Sequence, residues 1–400
     1  MIGNGDKNRI ISKESVIATI FVILSTTLFI RASNNMMVTS IPLLAKYNFD
    51  FSQTEVGIIS ALSYLSTFLT TTIINVRLKA EKRRIAFILA NLVYAAVFVG
   101  FWKSNTLSIW FLSAISGAVF GLMMPNIITA AGLFKDQRVR ERVLSLYTVA
   151  LSLSLVAGPA FESYILKFYS LKTTFLIFSL LAIISVCLSP FIRFPEENRI
   201  KERVKVFGNY GFRSSLLNIM AYNIPFTLLI AFGGIYERNT YGISLSLVTL
   251  LFSLFFLSSF VSRMFLSLIP PKSIHRQMIA AMVLSIMGIS ILVSSRSIMM
   301  LVLSLVVLGI PHGFTYPLSV LSISRSFDPR ERNIANSYFF SVMTAIGIIL
   351  PIIGGYAIQK YGFNLTFDGI FFLIVLIMMI LALNFRAERR AGEIKNKIAF

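Results

Sequence analysis

GAVFGLMMPNIITAAGLFKDQRVR (Gly117–Arg140) and GIPHGFTYPLSVLSISRSFDPRER (Gly309–Arg332) are one passage written twice. At a shift of 192 residues Gly117 meets Gly309, Gly121 meets Gly313 and Pro125 meets Pro317, while Asp136, Arg138 and Arg140 meet Asp328, Arg330 and Arg332. The same shift pairs Arg84 with Arg276, Pro159 with Pro351, Tyr164 with Tyr356, Tyr169 with Tyr361, and Thr174–Phe175 with Thr366–Phe367. In an apolar chain matched leucines mean little. Matched Gly, Pro, Asp and Arg mean more, because each fixes a backbone or loop feature.

The surroundings of the repeat say what kind of unit is duplicated. The 400 residues are 56% hydrophobic and 14% charged, with mean hydropathy +0.79. A soluble protein carries about 25% charge. The apolar residues form twelve runs, near 15–45, 54–76, 85–102, 107–134, 143–167, 172–192, 215–237, 245–268, 277–295, 298–325, 333–358 and 365–385. About 20 residues cross a bilayer core, so each run is a candidate span. The first is too long for the apolar core of a cleaved signal and reads as a retained span.

Net charge is +20. The basic residues crowd into alternate gaps: 77–84, 135–142, 193–213, 272–276, 325–332 and 386–397. The opposite ends hold only Lys46, Lys103, Lys167, Lys172, Arg238, Arg296 and Lys360. This asymmetry places both termini in the cytoplasm and accounts for the charge without nucleic acid. Cys187 stands alone, so no internal disulfide or cysteine metal site exists, and it reads as a small core residue. Two histidines and scattered acids supply no constellation for a metal, cofactor or catalytic nucleophile. The charged segment 193–214, with Pro195 and two glycines, reads as a linker between a six-helix half at 1–192 and another at 215–400.

A direct six-plus-six repeat resembles the major facilitator superfamily over the whole chain. The resemblance implies an all-α membrane protein of two six-helix bundles about a pseudo-two-fold axis. NVRLKAEKRR (Asn75–Arg84) stands where the family has a glycine–arginine motif after the second helix, and matches at Arg83 and Arg84. Its second copy, SLIPPKSIHR, keeps Arg276, and Arg263 resembles the arginine often found just before that motif. LSLVAGPAFES keeps Gly158 and Pro159 of the fifth-helix motif of drug/proton antiporters, with Glu162 and Ser163 in place of its last two glycines. GIILPIIGG in the eleventh run keeps Pro351, Gly354 and Gly355. Small residues let helix backbones touch, and proline bends a helix.

Polar residues in the spans locate the candidate site. Thr27, Arg31, Asn35 and Thr39 are four apart, with Asn34 three from Arg31, so they form one stripe. An arginine at the bilayer centre costs about 2.5–3.5 kcal/mol on insertion scales, so Arg31 faces a cavity or an acid, not lipid. It reads either as a ligand for an anionic substrate group or as the structural partner of Glu162, Asp368 or helix carbonyls. Those two acids are the ones the sequence places within spans. A carboxyl half-removed from water can load and release a proton as access alternates, which makes Glu162 the better proton carrier and Asp368 the second candidate. Glu55, at the start of the second run, reads as a helix N-terminal acid.

The resemblance puts the first, fourth, seventh and tenth helices around the cavity. Asn126, Tyr222, Asn223, His312 and Tyr316 join Arg31, Asn34 and Asn35 there as substrate-binding candidates. The chain is thus expected to be a monomeric secondary transporter of the cell membrane, moving a small molecule by alternating access without ATP or cofactor. The fifth-helix motif favours proton-coupled efflux of drug-like or amphipathic compounds. Arg31 favours uptake or exchange of an organic anion. A membrane enzyme or non-transporting sensor on the same fold is the alternative from another class.

Overall fold

The computed structural model describes residues 13–131, 134, 136–194, 205–269, 273–328 and 331–398. Residues 1–12, the middle of the expected linker at 195–204, Lys272 and the Pro329–Arg330 pair of the repeat lie outside the described residues. No strand occurs among the described residues. Twelve helices are long and apolar enough to span: α1 (Ile17–Phe49), α2 (Gln53–Arg77), α3 (Glu81–Trp102), α4 (Ser108–Ala131), α5 (Arg138–Ile165) and α6 (Leu171–Phe191) in the first half. The second half holds α7 (Tyr210–Tyr241), α8 (Leu245–Leu268), α9 (Ile274–Ser294), α10 (Ile298–Ser326), α11 (Ile334–Tyr361) and α12 (Phe363–Ala391).

Short polar residues start these helices. Ser52 and Glu55 form a capping box on α2, with the Glu55 carboxylate accepting the Ser52 N–H at 2.8 Å, as expected of an N-terminal acid. Asp136 caps α5 by accepting the Val139 N–H at 3.1 Å, which accounts for the aspartate in the first copy of the repeat. Asn209 accepts the Phe212 N–H at 3.1 Å, so α7 begins at Tyr210, five residues before the expected start. At its other end α7 runs through a π-helical segment, Leu229–Gly233, and stops only at Gly242, whose φ of 65° is the left-handed C-cap.

The packing repeats as the sequence does. Within the first half α1 packs on α5 and α6, α2 on α4, and α3 on α4 and α6; within the second α7 packs on α11 and α12 and also closely on α10, α8 on α10, and α9 on α10 and α12. Glycines set the closest approaches. Gly117 and Gly121 lie against the carbonyls of Ser63 and Thr67 on α2, while Gly309 and Gly313 lie against those of Phe255 and Ser259 on α8. Each pair differs by 192 residues, so the repeat specifies helix contacts and not composition alone. On α2, Ser63, Thr67 and Thr71 donate to the α4 carbonyls of Ser113, Gly117 and Gly121 at 3.1, 2.9 and 3.0 Å. They join helices rather than face substrate.

The halves meet along two surfaces that the pseudo-two-fold exchanges, α2 on α11 and α5 on α8. Gly57 lies against the Pro351 carbonyl and Gly355 against that of Gln53, so two of the expected motif positions form this contact. Gly354 packs on Leu228 of α7. Gly158 lies against the Ala32 carbonyl, bringing α5 onto α1 one residue before Pro159. Between halves, Thr54 donates its N–H to Gln359 at 3.2 Å, Ser246 donates to the Ser163 carbonyl at 2.7 Å, and Tyr47 donates to the Ile235 carbonyl at 3.3 Å. All three lie at the end of the bundle opposite the start of α1, here termed distal. Ser253 donates to the Val156 carbonyl at 2.9 Å nearer the middle. The structure is sealed distally.

Cys187 corrects the sequence reading, because its side chain is exposed on α6. The terminal arginines of the Asn75–Arg84 motif bind carbonyls: Arg83 donates to Leu78 at 3.4 Å and Arg84 to Pro190 at 2.7 Å, tying the start of α3 to the end of α6.

A Cβ at Gly121 would sit 2.6 Å from the Thr67 oxygen, and one at Gly313 2.7 Å from the Ser262 Cβ. Gly121→Val and Gly313→Val therefore each lower stability by about 1–3 kcal/mol through overpacking. Gly369→Val, with nothing within 4 Å of its added carbon, stays near wild type. Melting in detergent checks this, and equal melting of all three would contradict the packing described.

Candidate functional site

Arg31 lies midway along α1 and remains partly exposed. The guanidinium sits over the Phe120 ring of α4, 5.6 Å from its centroid. Around it stand the phenols of Tyr64 (α2), Tyr94 (α3) and Tyr147 (α5). The Arg31 Nε is buried and has no acceptor. A cation–π contact contributes about 0.5–2 kcal/mol, less than the roughly 2.5–3.5 kcal/mol cost of a central arginine.

Neither acid proposed as a structural partner reaches it. Glu162 is fully buried on α5 and accepts hydrogen bonds from Ser40 and, at 3.4 Å, from Thr39, both on α1. Thr39 is eight residues from Arg31, about 12 Å of helical rise. Asp368 is exposed on α12, away from the polar centre. Among the described residues no ion pair involves Arg31; the one observed joins His275 to Glu388 at 3.3 Å near the opposite, proximal end.

A second arginine, from the other half, lies within electrostatic reach of the first. Arg263 of α8 has Tyr222 (α7), Tyr316 and His312 (α10) and Arg31 as its ionisable neighbours, and its Nε is likewise buried without an acceptor. Tyr147 and Tyr316 lie within electrostatic reach of each other across the halves. The centre is therefore a positive cluster, flanked by phenols from both halves. Among the described residues no carboxylate enters the surroundings of either arginine. Two guanidiniums with unused donors suit an anion that brings its own oxygens.

Of the expected substrate ligands, Arg31, Tyr222 and Tyr316 come together here, and Asn34 is partly exposed on the same stretch of α1. Asn35 instead donates to Ser154 of α5 at 3.4 Å, and Asn223 donates to the Met343 carbonyl of α11 at 3.3 Å. Asn126 is a correction. Its amide donates to the Asn75 side chain at 2.8 Å and is buried in the α2–α4 contact, because close-packed helices must satisfy their polar groups internally. His312 shares a hydrogen bond of 2.7 Å with Ser259 and sits among Tyr222, Phe226, Phe255 and Phe256, with ring centroids 4.5–5.7 Å away. This makes it part of an aromatic wall in the second half.

Three features escaped the sequence reading. Arg263 was legible as a motif-adjacent arginine but not as a site residue. Tyr94 and Tyr147 are lone tyrosines in apolar runs and carry no local signal. Glu237 fell at the expected end of the seventh run; the structure buries it completely within α7. It corrects the expectation that Glu162 and Asp368 are the acids within the spans. Among the described residues no group of His, Cys, Asp and Glu is arranged to hold a metal.

Solved structures share this fold. A bacterial homologue of the human lysosomal transporter Spinster, inward-facing and occupied, superposes with a TM-score of 0.73 at 12% identity, covering 94% of this chain and 97% of that one. A variant of the nucleoside transporter NupG gives 0.71 at 13%, covering 92% and 99%. The human organic anion transporter MFSD10 gives 0.65 at 14%, covering 92% and 99%. No curated protein matches by sequence closely enough to be called a relative. The sequence profile of the Major Facilitator Superfamily matches residues 23–272 and 212–399, and the chain belongs to that superfamily: it is a membrane-embedded secondary transporter, not an enzyme.

Proposed function

We propose that the protein carries a small organic anion, a carboxylate or phosphate, across the cell membrane by alternating access. The observation that carries this reading is the pair Arg31 and Arg263, one from each half, with buried unused donors and no carboxylate among their neighbours. An anion bound between them touches both halves, so its binding is coupled to their relative motion. The tyrosines supply further donors and flat surfaces for the rest of the substrate. The chain works as a monomer with both termini in the cytoplasm, which makes the distal seal the outer one. Substrate then enters the described arrangement from the cytoplasmic side. Glu162, held against α1 by Ser40 and Thr39, serves as the proton-coupling carboxyl where α5 meets α1.

The second reading is proton-coupled efflux of drug-like compounds by antiport. The aromatic wall about His312 and the Gly158–Pro159 bend favour it. A lipophilic cation, however, would meet two arginines and no acid.

Thermal shift of the purified protein separates these readings. Small carboxylates or phosphates are expected to raise the melting temperature, since a ligand at about 100 times its Kd adds roughly 2.7 kcal/mol to folded-state stability. Arg31→Ala and Arg263→Ala each weaken that binding about 10- to 100-fold, in line with the 1.5–3 kcal/mol of a charge-assisted hydrogen bond. Stabilisation by lipophilic cations, indifferent to either arginine, would overturn the anion reading in favour of efflux. In proteoliposomes, Glu162→Gln is expected to retain counterflow of labelled substrate and lose proton-driven accumulation. Undiminished accumulation would remove Glu162 from the coupling role.

A further inference from the structure

Glu237 stands in the distal half of α7, one turn beyond the π-helical segment Leu229–Gly233. This half of α7 is the plug of the distal seal. Gly234 packs against Leu43 of α1 and against Val248 and Phe252 of α8. Phe232 lies against Gly355 of α11, Tyr236 stacks on Phe363 of α12 at 3.9 Å, and the Ile235 carbonyl accepts from Tyr47 of α1. The Glu237 side chain is 0% exposed, and neither carboxyl oxygen has a hydrogen-bond donor.

No charge compensates it. On α1, Lys46 donates to the Phe51 carbonyl at 3.1 Å and Tyr47 to α7 itself. On α7, Arg238 lies over the Tyr47 ring at 4.6 Å, and Tyr241 donates to Ser295 at 2.7 Å. Glu162 on α5 is taken by Ser40 and Thr39, and the stretch of α8 that packs here, Leu245–Phe256, contains no ionisable residue. On the remaining neighbours, α2 presents Glu55, bound to Ser52, while Arg296 of the α9–α10 turn, Lys360 of α11 and Asp368 of α12 are exposed.

We propose that Glu237 is a proton-binding site that operates the distal gate: the seal closes over the neutral acid and opens to the ionised one. Burying an unpaired carboxylate costs far more than burying the neutral acid, which leaves only polar atoms unsatisfied. Separation of α1 from α7 is required for substrate to pass distally, and it brings water to the carboxyl, where ionisation carries no such cost. One proton is therefore taken up from the distal solution on closing and returned to it on opening. It drives no net transport and is distinct from the coupling assigned to Glu162. It makes closure acid-favoured: above the ordinary glutamate range, near 4.3, the closed-to-open ratio falls by up to about tenfold per pH unit.

This inference rests on alternating access, not on any substrate, and its test needs none. Spin labels at Tyr169 and Arg296, both exposed at the distal end and on opposite halves, report opening as a longer distance. The full chain is labelled as the double cysteine variant in a Cys187→Ser background and held in lipid nanodiscs. The closed population of wild type is expected to fall as pH rises, and Glu237→Gln, which keeps a neutral side chain of the same shape, to lose that dependence. Glu162→Gln is expected to retain it. A second readout uses no labels: infrared spectra of wild type at neutral pH should contain a carboxylic-acid carbonyl band that disappears in Glu237→Gln. A wild-type distance unaffected by pH, a Glu237→Gln variant that titrates like wild type, or an unchanged carbonyl band would each overturn the proposal.

Discussion

Charge without counter-charge, held inside an apolar bundle, is the constraint on which the rest of this structure depends. In hydrocarbon every polar group must find its partner within the protein. The protein meets that demand almost everywhere, with Ser and Thr donating to neighbouring helix carbonyls and asparagines bridging helices. Among the charged side chains deep in the spans, it does not meet it at Arg31 and Arg263, whose Nε atoms lack acceptors, or at Glu237, whose oxygens lack donors. These three charged groups fall at the centre between the halves and in the distal seal, the two places a transport cycle must rearrange.

The repeat supplies the frame that makes such exceptions tolerable. Glycines 192 residues apart bring α2 onto α4 and α8 onto α10 through equivalent carbonyls. Two packed halves result, joined at α2–α11 and α5–α8. The site itself does not obey the repeat. Arg31 aligns with Asn223, which binds the Met343 carbonyl, and Arg263 aligns with Thr71, which binds the Gly121 carbonyl. The scaffold is symmetric and the chemistry is not: the proposed anion site takes an arginine from each half at non-equivalent positions.

The twelve helices and their duplication were legible because apolar runs, basic gaps and matched glycines are local signals. Helix ends were less so. α7 continues past Glu237 and Arg238 because Gly242 supplies the turn, whereas polarity alone suggested a loop. That misplacement hid the buried acid. Asn126 misled for a related reason: an asparagine beside a proline in a span resembles a cavity ligand, yet its rotation about the helix axis turns it to Asn75. The pairing of Arg31 with Arg263 could not be read from either run, since nothing local records which helices of opposite halves face each other. The solved structures that share the fold carry nucleosides in one case and organic anions in another, so the frame leaves the cargo to these side chains.

The most direct test is an experimental structure determined with a small carboxylate or phosphate that stabilises the protein. An anionic group within hydrogen-bonding distance of both Arg31 and Arg263, with the tyrosines closing around the remainder, is the predicted result. A ligand bound elsewhere, with the two guanidiniums paired to carbonyls or to an acid of the protein, would contradict the central assignment.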